Sequence, residues 1–182
     1  METTTHMPNF LVITAVGNDR PGIVNELTKH ILDNECNVTD SRMSILGGEF
    51  ALILMISGNW NSIAKIEDAL PRLGDKLGMN VTTKRTEPRT QRGNLLNYHV
   101  DVLAIDQPGI VHQVTQFFSN NEINIESLNT DTYNAAHTGT PMFAINMTVN
   151  IPVDQSIAQI REQFLDFCDA LNMDGLMEAV RT

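Results

Sequence analysis

Long apolar runs are missing from this chain of 182 residues. No stretch approaches the roughly 18 to 20 consecutive apolar residues that cross a bilayer, so a membrane-spanning helix is excluded. The first residues, Met1 to Pro8, hold an acid and several polar side chains but no apolar segment, and they do not read as a signal peptide. Cysteine is scarce: Cys36 and Cys168 form no Cys-x-x-Cys pair, and two reduced thiols in a cytoplasmic protein are expected. Basic residues are few, 12 against 22 acidic, for a net charge of −10. The deficit lies mainly in the second half, where residues 87–182 hold 4 Lys and Arg against 12 Asp and Glu. A protein that neutralises several phosphates needs clustered Lys and Arg, and no helix-turn-helix pattern is present, so direct nucleic-acid binding is not expected. Catalytic signatures are absent as well. The five histidines (His6, His30, His99, His112, His137) show no metal-ligand spacing, and there is no P-loop or Gly-x-Ser-x-Gly. His112 reads as a helix residue rather than a catalytic one. The sequence therefore implies no enzyme, no metal and no cofactor.

What is present is a repeat. At an offset of 87, Asp19-Arg-Pro-Gly-Ile-Val24 falls on Asp106-Gln-Pro-Gly-Ile-Val111, followed by Thr28 on Thr115, Asn34-Glu35 on Asn121-Glu122, and Asn37 on Asn124. Later the offset becomes 93, with Phe50-Ala51 on Phe143-Ala144, which places an insertion in the polar stretch Tyr133–Thr140. Each copy reads as strand, helix, two strands, helix, strand. Residues 10–17 are rich in β-branched side chains and bounded by turn residues, which marks a buried strand. Asp19 is suited to cap the helix that follows, with Pro21 in its first turn and Ile23, Val24, Leu27 and Ile31 along one stripe. Strands follow over 36–46 and 49–57, joined by Gly47-Gly48. A helix is expected over 60–77 from Ile63, Ile66, Leu70, Leu73 and Leu77, then a strand over 79–86. The second copy gives a strand over 97–104, a helix over 108–119, strands over 123–131 and 141–150, a helix over 154–171, and a last strand near 173–181 interrupted by Asp174-Gly175.

This order is the split βαβ arrangement. The fold class is α+β: two tandem ferredoxin-like βαββαβ domains, each an antiparallel four-stranded sheet with both helices on one face. The domains are expected over residues 9–86 and 96–182, with a linker over 87–95. The polar stretch Lys84–Asn94 holds four basic residues and reads as a solvated linker, or alternatively as a contact for an acidic partner or for nucleic acid. Domains this small gain by packing on each other or by homodimerisation. Met43, Met55, Met142 and Met147 are expected in the core; Met173 and Met177 either fill gaps or belong to a partner-binding surface.

The repeated turn carries a possible chemistry. A helix N-terminus presents unpaired N–H groups and a positive dipole end, which attract a carboxylate. Gly22 and Gly109 allow close approach to the backbone, and Asp19 and Asp106 could accept from an ammonium group. A free amino acid carries both of those groups. The alternative is that each Asp merely caps its helix.

Asp19-Arg-Pro-Gly-Ile-Val24, after a strand and opening a helix, resembles the turn of the ACT domains, and the resemblance covers the chain from about Asn9 to Val180. It implies ligand sensing rather than catalysis. The matching positions are Asn18, Asp19, Arg20, Pro21, Gly22, Ile23 and Val24 in the first copy, and Asp106, Gln107, Pro108, Gly109, Ile110 and Val111 in the second. Gln107 in place of Arg20 implies that the two sites are not equivalent, and the Tyr133–Thr140 insertion could crowd or cover one of them. Two ACT units in one chain of this length further resemble the tandem-ACT transcriptional repressors of bacteria. That resemblance implies contact with a LysR-type transcriptional activator, relieved by glycine or another small amino acid. Two other readings remain: an amino-acid-binding regulatory subunit of a metabolic enzyme, and an interaction protein without a ligand.

Overall fold

The computed structural model describes residues 8–88 and 94–180. Residues 89–93 of the expected linker, and Met1 to Met7, on which the signal-peptide reading rests, lie outside the described residues. The chain divides into two compact units, one within residues 1–90 and the other within 91–182.

The first unit runs β1 (Asn9–Asn18), α1 (Ile23–Asp33), β2 (Asn37–Leu46), β3 (Glu49–Gly58), α2 (Trp60–Leu77) and β4 (Met79–Thr86). The second runs β5 (Leu95–Ile105), α3 (Ile110–Asn120), β6 (Asn124–Asn134), β7 (Pro141–Pro152), α4 (Ile157–Ala170) and β8 (Asp174–Ala179). Both sheets are antiparallel, with strand orders β2-β3-β1-β4 and β6-β7-β5-β8. The two-residue period of a strand sends alternate side chains to one face. In β1 these are Leu11, Ile13 and Ala15, opposite Ile56, Leu54 and Leu52 of β3. All six are buried against the apolar stripes of α1 (Ile23, Leu27, Ile31) and α2 (Ile63, Ile66, Leu70). The second unit repeats this with Val100, Val102 and Ala104 under Ile110, Val114 and Phe118 of α3 and Ile160, Phe164 and Cys168 of α4. Each edge hairpin carries a register shift at the same repeat position, Val38/Asp40 and Ile125/Ser127, so the irregularity belongs to the fold.

Several expectations are corrected. Gly175 does not interrupt the last strand but sits inside β8, because a Cβ there would lie 2.6 Å from the Cys168 sulfur and 3.1 Å from Phe164 Cε1. A strand glycine here marks the close approach of a helix, not a turn. Met43, on the outer strand β2, is half exposed, and only Met147 of the four strand methionines is fully buried. Met173 and Met177 are buried in the second core and offer no partner surface. The insertion lengthens a hairpin: β6 continues to Asn134, and Ala135 N–H donates to the Thr140 carbonyl at 2.9 Å.

The repeated Asn-Glu pair also finds its cause. Asn34 and Asn121 donate from their side chains to the carbonyls of His30 and Phe117, both at 2.8 Å, and close the last turns of α1 and α3. Glu35 and Glu122 then take left-handed conformations, φ 58° and 56°, so that the next residue can donate back to Ile31 or Phe118. Glutamate is strained there while glycine is not. Replacing the exposed Glu122 by Gly is expected to stabilise the protein by about 0.5–1 kcal/mol, read as a raised midpoint in urea unfolding.

Candidate functional site

The two repeated turns differ from the other helix starts in one respect. Helix α2 is capped by Asn59, whose side-chain oxygen accepts from Ser62 N–H at 2.9 Å, and α4 by Ser156, which accepts from Gln159 N–H at 3.4 Å. Helices α1 and α3 have no side-chain cap. Their N-cap residues are Gly22 and Gly109, at φ 86° and 95°. The expected capping role of Asp19 is therefore corrected. The helix starts two residues beyond Pro21, at Ile23, and the left-handed glycine turns the chain so that the aspartate stands outside the first turn. A Cβ added at either glycine would meet nothing within 4 Å, so glycine is needed for its backbone angle, and the space before the helix is open.

Residues Asn18, Asp19, Pro21 and Gly22 are exposed, as are Asp106, Gln107, Pro108 and Gly109. No hydrogen bond or ion pair is formed by the carboxylates of Asp19 and Asp106 among the described residues. Each turn thus presents uncapped first-turn N–H groups, the positive end of a helix dipole, and a neighbouring carboxylate without a partner. Ile23 and Ile110 do not join this surface. They are buried and anchor each turn to its own core, while Val24 packs against the first core and Val111 is exposed.

Arg20 turns toward its own helix. Its guanidinium donates from Nη1 to Glu26 Oε1 in the first turn of α1 at 3.1 Å. The repeat position of Glu26 is Gln113, and that of Arg20 is Gln107, so the ion pair of the first unit becomes two neutral amides in the second. Sequence reading missed Glu26, although the paired exchange of 20 with 107 and 26 with 113 was visible in the repeat alignment. The lengthened hairpin sits beside the second turn: Asp106 N–H donates to the Pro141 carbonyl at 2.9 Å, at the root of the insertion. Among the described residues no group of three or more His, Cys, Asp or Glu could hold a metal ion.

The βαββαβ units with their open turns are those of ACT regulatory domains, as two family models show. Residues 9–84 match the ACT domain, and residues 100–170 match the AHAS small subunit-like ACT domain. The chain belongs to the family of the glycine cleavage system transcriptional repressor: it is 36% identical to that protein of Escherichia coli (strain K12) over 177 residues, 97% of this chain and 93% of that one. A crystal structure assigned to such a repressor is 32% identical, with a TM-score of 0.72 over 97% of this chain and 99% of that one. A protein of unknown function from Galdieria sulphuraria is 26% identical, with a TM-score of 0.77 over 96% and 100%. A UPF0237 protein of Methanococcus maripaludis is 36% identical over 76 residues, 41% of this chain and 84% of that one. The role is regulatory rather than catalytic.

Proposed function

We propose that this chain is a ligand-responsive transcriptional co-regulator that contacts a LysR-type activator and is relieved by glycine or a similarly small amino acid. The observation that carries the reading is the similarity to the named repressor over 97% of the chain. The turns supply a chemistry that fits it. The ligand carboxylate would sit against the uncapped N–H groups of α1 or α3, with its ammonium group on Asp19 or Asp106. A small ligand suits a turn whose glycine leaves open space beside the backbone. The binding energy must differ between two arrangements of the protein if the ligand is to switch it.

A gel shift on a glycine cleavage promoter tests this, adding the activator, this chain and glycine in turn. The expected result is a shift altered by this chain only when activator is present, and restored by glycine. A shift by this chain alone would overturn the co-regulator reading, as would no effect in any lane. The AHAS small subunit-like match of residues 100–170 favours a second reading, an amino-acid-binding regulatory subunit of a metabolic enzyme. In that case an amino acid would alter the rate of a co-purified enzyme and leave the promoter shift unchanged.

A further inference from the structure

We propose that the groove between α1 and α2 of the first unit seats an acidic amphipathic helix of a partner protein. The groove holds about 550 Å³. Its floor is apolar, formed by the half-buried Ala69 and the buried Leu73, and Lys29, His30, Arg72 and Lys76 stand around it. Along α2, Lys65, Ala69, Arg72 and Lys76 follow one another in steps of four, three and four, so they share one helix face. That stripe carries three exposed cations and no acid. Glu26 and Asp33 line the α1 side, where Glu26 is held by Arg20 at 3.1 Å. Lys29, Lys65, Arg72 and Lys76 are four of the 12 Lys and Arg in a chain of net charge −10, so positive charge is gathered here against the general balance.

The fold does not require this groove. With the buried stripes of the second helices aligned, Ile66, Leu70 and Gly74 fall on Ile160, Phe164 and Cys168. The α2 stripe then falls on Gln159, Gln163, Asp166 and Ala170, while Lys29 falls on Gln116, so all four cations are replaced in the second unit. His30 and Leu73 fall on Phe117 and Phe167, whose rings meet with centroids 5.1 Å apart. An imidazole and a leucine leave open in the first unit what two rings close in the second.

Charge and floor together select the occupant. A nucleic acid would have to pass the exposed Asp68 and Asp75 on the neighbouring face of α2, and its phosphates would gain nothing from an apolar floor. An amphipathic acidic helix gains from both features. Its apolar side chains cover Ala69 and Leu73, and its carboxylates meet cations spaced roughly 10 and 6 Å apart along the α2 axis. Glutamates at intervals of about seven and four residues on the incoming helix match that spacing. Arg72 is already paired with Asp68 at 3.0 Å, but both side chains are exposed, and such a pair yields readily to a partner carboxylate.

The test titrates the full chain into a labelled synthetic helix whose leucine stripe is flanked by glutamates, followed by fluorescence anisotropy at low and at physiological ionic strength. The parent is expected to bind, and more weakly at the higher salt. K65E/K76E is expected to bind about tenfold or more weakly, as is a peptide with glutamine in place of each glutamate. A69Q, which brings the second unit's side chain to the floor, is expected to weaken binding with no change of charge. K84E/R161E reverses the same number of charges elsewhere and is expected to bind as the parent does. A parent that does not bind, a K65E/K76E chain that binds as the parent does, or an equal loss in K84E/R161E would overturn the proposal. So would a promoter duplex held by the chain alone through these same lysines. The peptide needs no activator, so the groove and the co-regulator reading fail separately: the promoter gel shift tests only the second.

Discussion

Phe164→Ala is expected to destabilise the second unit by about 3–5 kcal/mol, a large share of the roughly 5–15 kcal/mol that holds a domain folded. Phe164 has no solvent exposure and lies at the centre of four rings, with centroids 5.4 Å from Phe118, 5.5 Å from Phe117 and 6.5 Å from Phe167. Its edge also supports the place where β8 comes closest to α4, since Gly175 faces both Phe164 and Cys168. Removing the ring leaves a cavity that neither a strand nor a helix can close without losing its own register. Each unit holds a buried thiol that reports its opening. Burial, with Asp169 and Asp174 adding to it, pushes the Cys168 thiol up to about 11, and burial, with Glu35 adding to it, raises Cys36. Both thiols are therefore protonated and shielded in the folded chain, and alkylation near neutral pH requires opening. In Phe164→Ala, Cys168 is expected to label at least tenfold faster, scored by mass spectrometry against Cys36 in the same sample. An unchanged Cys168 rate would show that the ring cluster does not hold this unit together.

The ring cluster also shows where sequence reading ran out. Order of elements, the repeat and the buried stripes were legible because periods of two and about 3.6 residues survive in single positions such as Leu11, Ile13 and Ala15, or Ile63, Ile66 and Leu70. What was not legible depends on contacts between elements far apart in sequence. Gly175 looked like a break because a lone glycine in a strand has no local signal that distinguishes a turn from a helix lying overhead. Met43 looked like core because its neighbours alternate correctly, yet whether a helix reaches over an outer strand is a matter of the whole layer. The turn was legible as a motif but not in its geometry. Asp19 has the chemistry of a cap, and only the left-handed angle of Gly22 moves the helix start past it. The Arg20–Glu26 pair spans six positions and follows no helical spacing, so its only trace in the sequence is the joint exchange to Gln107 and Gln113 in the repeat.

Asp19→Asn and Asp106→Asn together are expected to abolish the response to glycine while leaving the fold intact. Both carboxylates are exposed and no bond of theirs holds the structure among the described residues, so neither substitution removes a stabilising contact. In the bound state an amide cannot match a carboxylate as acceptor for an ammonium group, and a charge-assisted hydrogen bond contributes roughly 1.5–3 kcal/mol, or about 10- to 150-fold in affinity. A ligand that binds only the folded chain raises its melting temperature, so the parent should show a glycine-dependent rise that the double variant lacks. The single variants separate the two turns. In the first unit the Arg20–Glu26 ion pair fixes the side of the turn at 3.1 Å, whereas Gln107 and Gln113 leave the second without a matching charge pair. The first turn is thus the more preorganised, and Asp19→Asn should cost more of the response than Asp106→Asn. Gly22→Ala should act through the backbone instead: with nothing within 4 Å of the new methyl, the loss is the roughly 1–2 kcal/mol of a left-handed angle imposed on alanine. If the double variant melts at the same glycine-raised temperature as the parent, the ligand is not held by these turns, and the carboxylates beside them belong only to the surface.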